Sequence, residues 1–309
     1  FCGKFSIMNL FCQHGLPFTV ISPHTVRPKD ERFCGHVDYF DRLCRVVKAM
    51  RRMRVGAVGA RTTPFKTVRI DESALEEHGI TTETFDLSYV FSKIEGVKIS
   101  DKPFKKKSAS LKDYSNWQGV PRSSFEKLVR LAVVFDSMIE ENGLDAIAVR
   151  CWDEMQRFVG ISPCVVLSEI NNRGIPAACE VDVGNAVTMF ALGKAAGSPV
   201  TCLDWNNNYG EDDDKCILFH CGPVPRKMMK TEGRIVDHAI LANSLGQGCS
   251  FGCNQGRITE GPFTYGSMLT RKGNLEFYLG QGVFTDDPIP DDFFGCAGVA
   301  RIEGLQEVV

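Results

Sequence analysis

Glu180, Asp204 and His220 are the side chains of this sequence best suited to hold a divalent metal ion. Each ends a short apolar run: Ala177-Ala178-Cys179-Glu180, Val200-Thr201-Cys202-Leu203-Asp204 and Ile217-Leu218-Phe219-His220. A carboxylate in apolar surroundings loses its water, which costs several kcal/mol unless a cation or a donor compensates. Two carboxylates and an imidazole leave coordination positions free for a substrate, and hard oxygens with no required thiolate favour manganese over zinc. The residues alone leave an ordinary reading open as well. In that reading Glu180 pairs with an arginine, Asp204 caps a turn, and His220 bonds a backbone carbonyl.

The elements around them predict where such side chains would sit. Residues 38–54 carry Phe40, Leu43, Val46, Val47 and Met50 at helical spacing, and Val55 to Gly59 reads as a buried strand. Ser73 to His78 is helical with Gly79 as its stop, and Thr82 to Phe85 is a strand. Residues 100–119, with Lys105-Lys106-Lys107, read as a solvated loop. A long helix opens at Pro121, buries Leu128, Leu131, Ala132, Phe135 and Ile139, and stops at Gly143. Strand 145–150, a helix after Ser162-Pro163, strand 176–181 and a helix over 185–196 follow. This alternation predicts an α/β fold whose parallel sheet is covered by helices on both faces.

After Ser198-Pro199 the pattern changes to strands: Val200 to Trp205, Cys216 to Phe219, and a hairpin of 261–269 with 275–284. Residues 206–215 read as an acidic loop. The expected organisation is an α/β domain over 1–197 and a β-rich, antiparallel, barrel-like domain over 198–309. Ligands of α/β sheets collect at the carboxyl ends of strands, which is where the three candidates fall.

Composition narrows the classes. The 36 basic residues are balanced by 38 acidic ones, giving no basic footprint for nucleic acid or an acidic membrane. No stretch approaches the roughly 20 apolar residues of a membrane helix. Thirteen cysteines, an odd number scattered through apolar runs, predict reduced thiols and a cytoplasmic protein rather than a disulfide framework. The chain opens on Phe1 and ends in a helix-like segment, so both ends read as cut from something longer.

Longer words surround the candidates. They are Arg150-Cys151-Trp152-Asp153-Glu154, Gly160-Ile161-Ser162-Pro163-Cys164 and Gly174-Ile175-Pro176-Ala177-Ala178-Cys179-Glu180-Val181-Asp182. In this order and spacing they resemble the second domain of the L-fucose/L-arabinose isomerase family. His220-Cys221-Gly222 and Gly261-Pro262-Phe263-Thr264 resemble that family's C-terminal domain. Nothing in the chain reads as the family's N-terminal domain. The resemblance implies a metal-dependent aldose–ketose isomerase acting on a deoxy-hexose or pentose through a metal-chelated enediol, with manganese or another divalent ion. It implies that Glu180 and Asp204 are the two metal-binding catalytic carboxylates and that His220 is a third ligand. It also implies a homo-oligomer, a trimer or hexamer, in which a neighbouring N-terminal domain closes the site. A chain without that domain is then expected to hold the ligands and yet lack activity.

Two other readings stay open: an aldolase or epimerase forming the same enediolate, and a sugar-binding or regulatory remnant without turnover. Trp152 and Asn206 are candidates for substrate contact, Trp152 by stacking on a sugar and Asn206 by reaching its hydroxyls. Trp205, Asn207 and Asn208 share these options; a turn explains the three asparagines equally well, and core packing is the commoner role for both tryptophans. Cys249 and Cys253 lack the spacing of a zinc pair, and residues 56–60 lack the third glycine of a dinucleotide loop. The acidic run 211–214 lacks the alternate ligands of a calcium loop, and His14 and His36 read as surface histidines.

Overall fold

The computed structural model describes residues 2–308, which group into two compact units, Phe1–Lys48 and Ala49–Val309. In the first unit, α1 (Cys2–Gln13) and α2 (Glu31–Met50) are joined by an irregular segment. The predicted helix is present in α2, and Phe40, Leu43 and Val47 are exposed on it. Among the described residues, neither helix buries a side chain.

The second unit begins with β1 (Met53–Val58), α3 (Glu72–Glu76), β2 (Ile80–Phe85), α4 (Leu87–Gly96), α5 (Lys102–Tyr114) and α6 (Arg122–Asn142). It continues with β3 (Ala146–Val149), α7 (Cys164–Asn172), β4 (Ala177–Cys179) and α8 (Val183–Ala196). The four strands form a parallel sheet in the order β2-β1-β3-β4. In β3 the period of two divides the side chains between two cores. Ile147 and Val149 pack with α6 and α7, while Ala146 and Ala148 face Val187 and Phe190 of α8. Helices therefore cover both faces, as expected. Leu128, Leu131 and Phe135 of α6 are essentially fully buried, each worth about 1.5–3 kcal/mol. Gly143, at φ 59°, ends that helix in the left-handed region.

The expected loop over 100–119 is instead mostly helix α5. Phe104, Lys107, Leu111 and Tyr114 are buried at helical spacing, with the charged Lys107 standing in an apolar position. Its ammonium lies 2.7 Å from Asp136 and 3.2 Å from Glu169, which accounts for a buried lysine. The lysine run hid this stripe.

The remaining elements are β5 (Asp204–Tyr209), β6 (Asp212–His220), β7 (Arg234–Val236), α9 (Ala239–Leu245), β8 (Cys253–Arg257), β9 (Gly261–Arg271), β10 (Asn274–Phe284), β11 (Cys296–Arg301) and α10 (Leu305–Val308). The expected boundary near residue 197 falls between α8 and β5. Seven strands form one mainly antiparallel sheet along β5-β6-β11-β10-β9, with β8 parallel to β11 and antiparallel to β7. The sheet has β5 and β9 at its ends, so among the described strands it is open and not a closed barrel. The predicted hairpin is β9–β10, turning at Lys272 and Gly273, both at positive φ. The expected acidic loop over 206–215 is a second hairpin. Tyr209 pairs with Asp212 across Gly210 (φ 59°), which lets the acidic residues continue as strand β6. Among the described residues, no helix is long and apolar enough to cross a membrane.

Candidate functional site

Glu180 lies one residue beyond β4, not inside a strand as expected, and its placement is strained. Glu180 and Val181 have φ of 59° and 61°, a region that residues with a Cβ rarely occupy and a β-branched one least of all. Two consecutive left-handed residues turn the chain from β4 into α8 within three positions. Such strain persists only where the surroundings over-determine it, and it clusters at functional sites. Here Val181 is buried against α8, and Asp182 caps that helix by accepting the Asn185 N–H at 2.8 Å.

His220 reaches the same place from the end of β6. Its Nε2 is 3.7 Å from Oε2 of Glu180, and the ring is 1% exposed. This Nε2 is a buried polar atom without a hydrogen-bond partner. On the other edge, Nδ1 is 2.9 Å from the Cys221 N–H and 3.3 Å from its Sγ. With its proton on Nδ1 the ring donates to sulfur; without it, the ring accepts the amide. Gly222 completes the turn at φ 142°, where a Cβ would come 2.5 Å from the Asn254 nitrogen.

Asp204 opens β5, whereas the sequence reading had it closing a strand over 200–204. It is solvent-accessible, yet protein atoms crowd it enough that burial raises its carboxyl pKa. The charge on His220 lowers that pKa and Glu180 raises it. Of the three predicted ligands, Glu180 and His220 are in contact at 3.7 Å, and Asp204 senses the charge of both. Burial opposes charging of His220, but attraction to Cys221 and Glu180 holds its pKa well above the ordinary value.

The arginine that the sequence offers Glu180 is engaged elsewhere. Arg150 pairs with Glu154 through Nη2 at 2.9 Å and also donates to the Ala60 carbonyl, bracing the ends of β1 and β3. Glu180 instead has the Cys151 thiol 3.8 Å from its Oε1.

Trp152, after β3, is half-buried and packs edge-on against Phe65 at 5.6 Å and His238 at 6.0 Å. Asn206 is exposed on β5 at a shift in register, between Trp205 opposite Leu218 and Asn207 opposite Ile217. It is thus the extra residue of a β-bulge, a device that re-aims side chains.

Sequence reasoning passed over three groups here. Asp182 is 6% exposed and its carboxyl is pushed up to about 6, first by burial and further by the charges of Glu180 and Asp204. His238, at the start of α9, is buried with an unpartnered Nε2. Cys179 and Cys221 flank the predicted ligands directly in sequence, and with His220 they bring ligand atoms within 4.8 Å of one another. Adjacency to Glu180 and His220 was the signal that could have found these thiols. Cys221 is held well below the ordinary thiol pKa by hydrogen bonds from Cys164 and Cys179.

Comparison with known proteins gives consistent resemblances. A model described as fucose/sulfoquinovose isomerase, N-terminal domain, matches residues 1–51. The sequence reading had found no match to that domain, and this stretch supplies one. A sulfoquinovose isomerase of Priestia aryabhattai is 24% identical over 279 residues, 88% of this chain and 61% of the relative. Sulfoquinovose isomerases of Clostridium sp. (strain MSTE9) and Alkalicoccus urumqiensis are 23% and 20% identical, over 73% and 71% of this chain. The chain spans about three fifths of the Priestia relative, 61%, and about half of the other two, 50% and 49%. The similarity to sulfoquinovose isomerases thus extends over most of the sequence.

Proposed function

We propose that this chain carries the metal and proton-transfer residues of an aldose–ketose isomerase, with sulfoquinovose the first substrate to test and deoxy-hexoses and pentoses next. The observation that carries this reading is the convergence of Glu180 and His220, 3.7 Å apart, at a strained turn whose charges reach Asp204. The curated relatives, named as sulfoquinovose isomerases, supply the reaction class.

The donor set fits a hard divalent ion, manganese in our assignment. Oxygens of Glu180 and Asp204 and the orphaned Nε2 of His220 would hold it. When bound, such an ion supplies Lewis-acid stabilisation of negative charge growing on the sugar oxygens. The protein's own work is proton transfer. One carboxylate removes the proton from the carbon beside the carbonyl, and the other relays protons among the oxygens of an enediol. Ligation through Nε2 would put the ring proton on Nδ1, directed at Cys221 Sγ at 3.3 Å, in place of the hydrogen bond that the Cys221 N–H donates to Nδ1 at 2.9 Å. Trp152 and Asn206 are assigned to sugar contact, Trp152 from the aromatic set after β3 and Asn206 from its bulge.

We also assign a cytoplasmic location, in keeping with the free thiols, and assembly as a trimer or hexamer, which light scattering would measure. The function is tested by incubating the protein with manganese and a panel of aldoses that includes sulfoquinovose, then measuring ketose. Ketose formation is expected. Cleavage products would indicate an aldolase, and sugar binding without product from any aldose would indicate a binding remnant.

A further inference from the structure

Behind the carboxylates, five buried thiols converge from five elements. Cys151 follows β3, Cys164 opens α7, Cys179 ends β4, Cys221 follows β6 and Cys253 opens β8. Cys253 Sγ is 3.9 Å from Cys164 Sγ, which is 3.6 Å from Cys221 Sγ. Cys221 Sγ is in turn 3.3 Å from Nδ1 of His220. All five are free thiols, and none of the four metal-facing groups, Cys164, Cys179, His220 and Cys221, is more than 7% exposed.

We infer that Cys179, Cys221 and Nδ1 of His220, with Cys164 as the fourth donor, form a site for a thiophilic divalent ion, zinc being the best fit. Thiolate sulfur with one imidazole selects zinc over manganese or magnesium, and four such donors suit tetrahedral coordination. Bonds of about 2.3 Å to zinc set sulfurs in a tetrahedron about 3.8 Å apart. The Cys164–Cys221 separation of 3.6 Å already has this value, the Cys179–His220–Cys221 group within 4.8 Å needs a closure of about 1 Å, and Cys164, outside that group, joins it from the Cys221 side. A bound dication would neutralise sulfurs that have no water to solvate them. The ligand set stands without the isomerase reading.

One consequence does rest on that reading. A neutral imidazole has a single lone pair. Ligation through Nδ1 leaves the proton on Nε2, directed at Glu180, and so withdraws His220 from the carboxylate site. Zinc at the thiols and manganese at the carboxylates therefore compete for one ring.

The test uses the reduced full chain, stripped with a chelator and reloaded with one equivalent of zinc. X-ray absorption at the zinc edge should show a sulfur shell at about 2.3 Å, and a shell of nitrogen and oxygen alone at about 2.0–2.1 Å would overturn the site. Cys179→Ala and Cys221→Ala should each release the zinc to a weak chelator, with circular dichroism reporting whether they fold. Because the absorption edge is read on the unaltered protein, a misfolded variant leaves the assignment decided. Recovery of Cys164 and Cys221 as a disulfide from freshly reduced protein would also overturn it. The zinc-loaded protein should bind manganese at least tenfold more weakly. Equal manganese affinity with the sulfur shell present would refute the shared ring while leaving the isomerase reading intact.

Discussion

Nε2 of His220 lies 3.7 Å from Oε2 of Glu180, while the opposite edge of the same ring meets the sulfur of Cys221 at 3.3 Å. One imidazole thus joins a carboxylate cleft to a buried thiol cluster, and the position of its proton decides which of the two it serves.

Of the three proposed ligands, Asp204 is the most open to solvent and depends least on packing. Asp204→Asn should leave the melting temperature unchanged or slightly higher, because a carboxylate crowded by protein and repelled by Glu180 is removed. Ketose formation should fall by more than about 100-fold, beyond the loss typical of a supporting residue. A variant with at least a tenth of normal activity would remove Asp204 from the chemistry.

The backbone at Val181 inverts an ordinary ranking. Glycine is usually worse than alanine by about 0.5–1 kcal/mol. At φ 61°, however, glycine relieves strain of about 1–3 kcal/mol. Val181→Gly should therefore denature at higher urea than Val181→Ala, although it buries less. The reverse order would show that the turn is not strained.

Asp182 makes stability depend on pH in the metal-free protein. Its folded-state pKa, about 6, lies above the ordinary carboxyl value of 3.8, so the folded chain binds the proton more tightly than the unfolded chain. The penalty is absent below about pH 4, grows as pH rises, and is complete above about pH 6, reaching about 3 kcal/mol at most. Urea melts of the wild type should lose stability across this window, and Asp182→Asn should lose less. Parallel profiles would contradict the assignment.

Lys107 sits between Asp136 and Glu169, and Glu169 is also held by Arg173 at 3.1 Å. Lys107→Met should cost about 3 kcal/mol by leaving buried carboxylate charge less compensated. Adding Glu169→Leu should recover most of it, since Arg173 keeps Asp136 at 2.6 Å. A double variant weaker than the single one would show that the pair itself stabilises the fold.

The features legible in the sequence were those with a local cause. The apolar stripe of α6, the glycine stops at Gly79 and Gly143, and the β9–β10 turn each follow from periodicity or backbone chemistry. Helix α5 was not legible, because Lys107 occupies a core position that only the distant Asp136 and Glu169 make tolerable. Strand β6 was missed at its start, since four acidic residues mask a hairpin set by Gly210. In the site, Glu180 and His220 were visible as polar ends of apolar runs. Asp182 and the thiols were not, because their surroundings arise from five elements meeting in space.

Joint ligation of one divalent ion by Glu180, Asp204 and His220 is measured by electron paramagnetic resonance of manganese titrated into chelator-stripped wild type and Glu180→Gln. One tightly bound equivalent is expected in the wild type and free aqueous manganese in the variant. Stoichiometric manganese retained by Glu180→Gln would place the ion elsewhere.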